Sequence, residues 1–453
     1  MTVLPEAFKE EMREILGDDY TLYESAVNDE PFRGISVNRL KITPEKLLPL
    51  LPFEVRKSPF YRDGYYISSQ EQGVGNLPLH LAGAFYVQEP SATSAVSLLD
   101  PEPGELVLDL CAAPGGKTAQ IASCLKGRGL VWSNEIVKNR AQLLLSNSER
   151  MGIANGVISS LHPDILCSNL KGFFHKALVD APCSGEGMFR KNPEAAAQWS
   201  REHVLSCAQR QLSILESASA ALTDGGTLVY STCTFSREEN EGVITRFLER
   251  HPEFEPYPVA SGACRASALS CAVRITPLEG GEGHFAARLR KKGSLKADMR
   301  TKAASSVRDE KLVQDVKKTL LTILDKLPSG NISVIQDKVY ILPEDYPQER
   351  TVPVIRAGIL AGELRKGRFE PSHALFTALP EGAFLRRLDL TDDEKNLSDF
   401  LYGMEIGCSG ENGYTAVCFN GLVLGFGKCS SGRLKNKYPK GLRQSVAGRY
   451  SQE

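Results

Sequence analysis

The chain has 453 residues, 42% of them hydrophobic and 24% charged, the make-up of a globular protein of two to four domains. It contains no apolar run long enough to span a membrane, and its eleven cysteines include no Cys-x-x-Cys pair, which argues against a zinc knuckle or a disulfide framework. A net charge of −1 speaks weakly against nucleic acid as a partner, so the distribution of charge has to decide.

In chain order, the start (Met1 to Glu10) lacks a basic head and an apolar run, so no signal peptide is expected. Free thiols in a reducing cytoplasm follow from the cysteine usage. Residues 1–90 mix short helices and strands, including a basic strand-like piece from Phe32 to Lys41. From 91 to 290, strand and helix patterns alternate, which predicts an α/β domain with a doubly wound, mostly parallel sheet. Its strands are expected at Leu106–Asp109, Leu130–Ser133, Gly156–Ser160, Ala177–Asp180 and Thr227–Ser231. Intervening helices are expected over Thr118–Leu125, Arg140–Met151 and a long stretch from Pro193 to Leu222 closed by Asp224-Gly225-Gly226. Ser236 with Glu239 reads as a capping box opening a helix to Arg250.

Residues 291–310 read as a linker, Lys311–Leu327 as an amphipathic helix, and 311–380 as a small mixed α/β unit. Residues 381–453 read as a small, barrel-like RNA-binding unit with strands at Ala416–Asn420 and Leu422–Phe426. No acidic residue stands between Glu411 and Glu453, while Lys428, Arg433, Lys435, Lys437, Lys440, Arg443 and Arg449 do. A cation run stripped of acids points to phosphate contact. Two other basic runs, Arg288 to Lys302 and Arg356 to Arg368, are read as solvated surface.

The chemistry concentrates in three segments. Asp109-Leu110-Cys111-Ala112-Ala113-Pro114-Gly115-Gly116-Lys117 follows the first strand. A strand, a glycine turn and a helix hold nucleotide-like ligands at the carboxyl ends of parallel strands, and Glu135 after the second strand suits ribose hydroxyls. A phosphate-binding loop would need glycine at position 111, and the dinucleotide fingerprint is absent. S-adenosylmethionine, which needs only small residues and backbone donors, remains. The other two segments, Asp180-Ala181-Pro182-Cys183 and Ser231-Thr232-Cys233-Thr234, each follow an apolar strand. They place two thiols over one crevice, and a thiolate there is a strong nucleophile. The nine other cysteines are read as small core residues.

These three segments, with Tyr86-Val87-Gln88-Glu89-Pro90-Ser91-Ala92 and Gly281-Glu282-Gly283-His284-Phe285, resemble the RNA cytosine-5 methyltransferases of the NOL/NOP/Sun (Fmu) family, most of all the bacterial RsmF-like branch acting on 16S ribosomal RNA. The similarity resumes at Lys366–His373, Leu424–Lys428 and Leu434–Arg443. It implies a Rossmann-like class I S-adenosylmethionine methyltransferase core, an N-terminal α+β RNA-binding extension and small C-terminal, PUA-like RNA-binding domains. It implies Cys233 as the nucleophile on cytosine carbon 6, Cys183 as the assistant in product release, and Asp180 as the group that bonds the base. Cys111, Ala112, Ala113, Pro114, Gly115, Gly116, Lys117, Glu135 and Asp180 would line the S-adenosylmethionine site. The partner implied is ribosomal RNA in the small subunit, with no membrane, no metal and a monomeric chain.

The family's usual adenine-contacting acid has no clear counterpart near Leu161 and His162. Arg190-Lys191 could approach RNA backbone or enter a helix; His284, His373, Trp132 and Trp199 read as structural. Three rival readings stand beside this one. Another RNA, such as tRNA, could be the substrate; DNA cytosine-5 methylation would promote Cys183 to nucleophile; and a non-catalytic assembly factor would leave both thiols idle.

Overall fold

The computed structural model describes residues 4–295, 310–347 and 352–443. Its first unit is an antiparallel sheet of β1 (Arg33–Val37), β2 (Val55–Lys57), β3 (Gly64–Ile67) and β4 (Phe85–Gln88), ordered β2-β3-β1-β4. Two helices precede it, Glu6–Leu16 and Tyr20–Ala26. They bury Phe8, Met12 and Tyr23 against Phe189 and Phe235 of the next unit.

That next unit holds the expected doubly wound sheet. Its parallel strands are β5 (Leu106–Asp109), β6 (Leu130–Asn134), β7 (Gly156–Ser159), β8 (Phe174–Asp180) and β9 (Leu222–Thr232). Short antiparallel strands follow: β10 (Phe254–Pro256), β11 (Arg265–Ala266), β12 (Ala272–Ile275) and β13 (His284–Lys291). The order is β11-β12-β13-β9-β8-β5-β6-β7, with β10 also on β13. Apolar residues fill both faces, as a sheet covered by helices on each side requires. Trp132, Phe174 and Phe285 pack on one face and Val107, Ile121 and Leu178 on the other.

Several local expectations change. The long helix breaks at Trp199-Ser200 into Pro193–Gln198 and Arg201–Ala221. Asp224-Gly225-Gly226 lies inside β9. The helix to Arg250 starts at Glu241, because the Glu239 carboxylate leaves the proposed capping box for a tertiary partner described below. Arg288 stacks on Tyr257 at 4.0 Å, and Lys291 donates to the Ser219 and Leu222 carbonyls, so this part of the basic run is structural. Lys296, Arg300 and Lys302 lie outside the described residues, as do most of the expected linker and Arg449.

The 311–380 region gives a helix that stops at Leu320 and a four-stranded sheet of β14 (Asn331–Ile335), β15 (Lys338–Leu342), β17 (Ile359–Arg365) and β18 (Arg368–Pro371). Between them β16 (Arg356–Ala357) pairs antiparallel with β7 and extends the central sheet. Arg356 is thus no solvated cation: it bonds Glu149 at 2.7 Å. The last unit orders β19 (Arg387–Asp389), β20 (Ile406–Gly407), β21 (Gly413–Phe419), β22 (Leu422–Ser430) and β23 (Arg433–Asn436) as β19-β21-β22-β23-β20. Cys408 and Cys429 are paired there as a disulfide, against the expectation of free thiols; nine cysteines are free.

The units share cores. Ile35, Val37 and Phe85 of the first sheet pack in one cluster with Phe400, Leu424 and Leu434 of the last. Among the described residues, no helix is long and apolar enough to cross a membrane, and no group of three or more His, Cys, Asp or Glu could hold a metal ion.

Asn38 stitches the first unit to the second. Its buried amide donates to the Gly83 and Met151 carbonyls and accepts from the Leu40 amide and Ser123 hydroxyl. Asn38→Ala is expected to lower unfolding stability by about 2–4 kcal/mol, at roughly 1 kcal/mol per net hydrogen bond, in urea titrations followed by circular dichroism.

Candidate functional site

Asp109, Asn134, Asp180 and Thr232 end β5, β6, β8 and β9, and in a parallel sheet these carboxyl ends share one edge. The strand order reverses between β5 and β8, which opens a crevice there. The Cys111–Lys117 loop leaves β5 at this point.

Two glycines in the loop are dictated by space and backbone. Gly115 has φ +115°, a region closed to most side chains. A Cβ on Gly116 would fall 2.5 Å from the Gln88 side-chain oxygen. Arg140 donates to the Ala113 carbonyl and Asn147 to that of Pro114, at 3.0 and 2.8 Å. Ala112 and Ala113 are buried. Burial pushes the Cys111 thiol well above its ordinary range, so it serves as a neutral wall. Glu135 is buried beside the loop; its carboxylate accepts from the Val137 amide at 2.9 Å and pairs with Arg140 at 3.4 Å.

Asp109 is the loop's unspent group. One carboxylate oxygen accepts from Thr118 at 2.7 Å, and the other is buried without a hydrogen-bond partner. Burial pushes this carboxyl up to about 7. Both polar atoms of the Gln88 amide are also buried and unpartnered. Native proteins seldom leave buried polar groups unmet. A polar ligand carrying a cation fits this set.

Lys117 does not face an open phosphate position. Its ammonium bonds Asp180 at 2.8 Å, and Ser231 donates to the other Asp180 oxygen at 2.8 Å. Burial raises the Asp180 carboxyl, but Lys117 and these bonds outweigh it and hold it below the usual range. Asp180 therefore stays ionised and fixed in direction. Its side chain is 29% exposed against 12% for Lys117, so the carboxylate fronts the crevice and the lysine backs it.

The two thiols stand 3.1 Å apart, sulfur to sulfur. The Cys233 thiol bonded to it, together with burial, pushes the Cys183 thiol well above its ordinary range. Cys183 is thus a thiol at rest, and either sulfur can donate the hydrogen bond between them.

Each thiol rides on a turn that the other turn holds. Glu186, just after Cys183, accepts from the Phe235 and Ser236 amides at 2.9 Å each. Glu239, just after Cys233, accepts from the Ser184 amide at 3.0 Å. Gly187 N–H donates to the Cys233 carbonyl at 3.0 Å, and the Ser184 and Thr234 hydroxyls meet at 2.9 Å. Glu186 and Glu239 are both buried, and desolvation raises both.

Cys183, Cys233, Asp180 and Lys117 thus come together, and Cys111–Gly116 and Glu135 line the adjoining part of the same edge. Sequence reasoning missed Asp109 as a site member, although a polar residue closing the strand before a glycine loop is a readable signal. It also missed Gln88, Glu186, Glu239 and His284. The His284 Nε2 is buried and unpartnered, 3.9 Å from Asp180. Burial and Lys117 push this imidazole down to about 3, so it is neutral. At His162 the ring caps the Pro163–Asn169 helix by accepting from the Asp164 amide, and Asp164 is exposed. Arg190 and Lys191 are spent on Glu282 and on carbonyls of Asp29, Glu30 and Phe32, which clamp the first unit to the second.

In the last unit, Lys428, Arg433, Lys435, Lys437 and Lys440 are exposed while Leu434 and Tyr438 point inward. Lys428 and Lys435 are direct cross-strand partners. Like charges in register repel, so an anion laid across them gains twice.

Residues 96–290 match the family model of 16S rRNA methyltransferase RsmB/F. Residues 4–90 match the N-terminal domain of 16S rRNA methyltransferase RsmF, 316–379 its first C-terminal domain, and 387–444 its PUA domain. The chain is 32% identical over 467 residues to ribosomal RNA small subunit methyltransferase F of Vibrio parahaemolyticus, covering 97% of each. It is 31% identical over 463 residues to the Shewanella piezotolerans protein of that name, covering 96% of this chain and 95% of the other. A methyltransferase homolog protein from Pyrococcus horikoshii superposes with TM-score 0.56 at 29% identity, over 63% of this chain and 95% of its own. NSun6 from the same organism, solved with SFG, gives TM-score 0.57 at 21% identity over 65% of this chain and all of its own, a likeness of fold.

The Asp109 carboxyl sits above its unfolded value of 3.8, so the stability it contributes is full below that value and is lost as pH rises through about 7. Asp109→Asn keeps the Thr118 bond and removes the buried charge. Its Tm is expected to exceed the parent's by several degrees more at pH 8 than at pH 5, in calorimetry of the ligand-free protein.

Proposed function

This chain belongs to the RsmF family of 16S rRNA methyltransferases, and from that premise we propose that it methylates carbon 5 of cytosine in small-subunit ribosomal RNA through a covalent bond from Cys233 to the base. S-adenosylmethionine is the methyl donor. The observation that carries the reading is the pair of sulfurs 3.1 Å apart beside a carboxylate fixed by Lys117 and Ser231.

Carbon 5 of cytosine is a weak nucleophile until a nucleophile adds at carbon 6. Cys233 as thiolate forms that sulfur–carbon bond, and the ring's electrons move toward carbon 5. Addition leaves negative charge on the ring nitrogen, which takes up a proton from solvent equal to the one Cys233 released on ionising, and Asp180, ionised and held from behind, accepts hydrogen bonds from that N–H and from the amino group. Bound in the loop, S-adenosylmethionine supplies an electrophilic methyl group. Asp109 and Gln88 offer its polar end their unpartnered atoms, and Glu135 offers a carboxylate to ribose hydroxyls. Release needs the carbon-5 proton removed and the sulfur–carbon bond broken, with its electron pair returning to Cys233. Cys183, 3.1 Å from Cys233, first gives its own proton to solvent, and its thiolate then takes the carbon-5 proton as the sulfur–carbon bond breaks.

The base must leave its stack to reach these groups. We place the ribosomal RNA backbone across Lys428 and Lys435, and the reaction in the cytoplasm, by a monomeric enzyme. Against the DNA reading stands the resemblance of Ser231-Thr232-Cys233-Thr234 to the segment that carries the attacking thiol in the RNA enzymes.

Cys183→Ser is expected to accumulate an RNA–protein adduct that survives a denaturing gel, and Cys233→Ala to form none and to lose methyl transfer. The reverse pattern would hand the attack to Cys183. Replacing Lys428 and Lys435 with alanine together is expected to lower the slope of log affinity against log salt by about 2, near one per lost phosphate contact. Filter binding across a salt series measures it.

A further inference from the structure

Each peptide group beside Cys183 has a buried partner. The Pro182 carbonyl accepts from the Gln211 amide at 3.0 Å, and the Ser184 amide donates to Glu239 at 3.0 Å. Gln211 and Glu239 are themselves joined at 2.6 Å. Both side chains are fully enclosed, Gln211 on the Arg201–Ala221 helix and Glu239 just before the Glu241–Arg250 helix. The pair is a bracket from two helices across the Pro182–Ser184 backbone. No group in it touches the crevice, and neither oxygen named Oε1 has a partner.

The Cys233 turn is held by other means. Glu186 takes the Phe235 and Ser236 amides. Asn240 donates to the Thr234 carbonyl at 2.9 Å and accepts from the Thr232 hydroxyl at 2.6 Å. Loss of Glu239 therefore frees the Ser184 amide directly, while the Cys233 turn keeps its bonds to Glu186 and Asn240. A sulfur–sulfur separation of 3.1 Å leaves little room for drift, since proton transfer needs hydrogen-bond reach.

We propose that Glu239, with Gln211, is a positioning residue for the release step: the bracket aims the Cys183 sulfur at the adduct and has no part in the attack by Cys233. This rests on the reading of Cys183 as the releasing thiol. The distinction from a general scaffold is kinetic. A scaffold residue would slow attack and release together, whereas this bracket governs release alone. A displacement near 1 Å at a reacting group costs up to about 100-fold.

The test follows adduct formation and decay separately, by single-turnover denaturing gels with 16S ribosomal RNA and S-adenosylmethionine. Glu239→Ala and Gln211→Met are expected to slow decay roughly 10- to 100-fold while formation holds within about threefold. Glu239→Gln retains an acceptor for Ser184 and is expected to decay near the parent rate. Gln211→Met keeps the test alive should Glu239→Ala not fold. Adduct accumulation in Cys183→Ser with normal decay in the bracket variants overturns the inference alone. Equal slowing of formation and decay also overturns it, in favour of a scaffold. Absence of adduct in Cys183→Ser overturns the release role of Cys183 and the inference with it.

Discussion

Two buried carboxylates decide where the sulfurs are. The segments that carry the thiols after β8 and β9 are short and neither lies in a strand or an α-helix, so their own backbone does not fix the 3.1 Å that separates the sulfurs. Glu186 leaves the first turn to bind amides of the second, and Glu239 leaves the second to bind an amide of the first. Neither turn can shift without breaking charge-assisted bonds in an interior where unmet carboxylates are costly. The Lys117–Asp180 pair continues this logic from β5 to β8, so the loop that would hold the methyl donor and the residue that would hold the base are one electrostatic unit.

The surrounding units are built into this arrangement. β16 from the 311–380 region finishes the central sheet against β7, with Arg356 on Glu149. The first sheet and the last share a hydrophobic cluster. Lys428 and Lys435 thereby belong to a unit joined to the rest through packed interior, which the proposed phosphate contacts would need in order to position a base.

Much of this was legible in the sequence, for reasons that local chemistry explains. Parallel strands buried on both faces show as apolar runs, so β5 to β9 fell close to their expected places. Asp180, Cys183 and Cys233 stood out because each closes such a run. What escaped was tertiary pairing. Ser236 and Glu239 have the spacing of a capping box, and nothing local reveals that the Ser184 amide outbids the helix end for that carboxylate. Arg190, Lys191 and Arg356 look like surface cations until their carbonyl and carboxylate partners, far away in the chain, are known. His284 reads as an ordinary strand residue, and only β13 lying beside β9 brings it near Asp180. The Cys408–Cys429 pair joins residues with no spacing signature.

The most direct test is bisulfite sequencing of 16S ribosomal RNA from cells that carry the parent protein, the Cys233→Ala variant or neither. One or more cytosines protected from conversion with the parent, and converted both with the variant and without the protein, is the expected result. Identical conversion in all three, or protection that survives Cys233→Ala, would contradict covalent cytosine-5 methylation by this site.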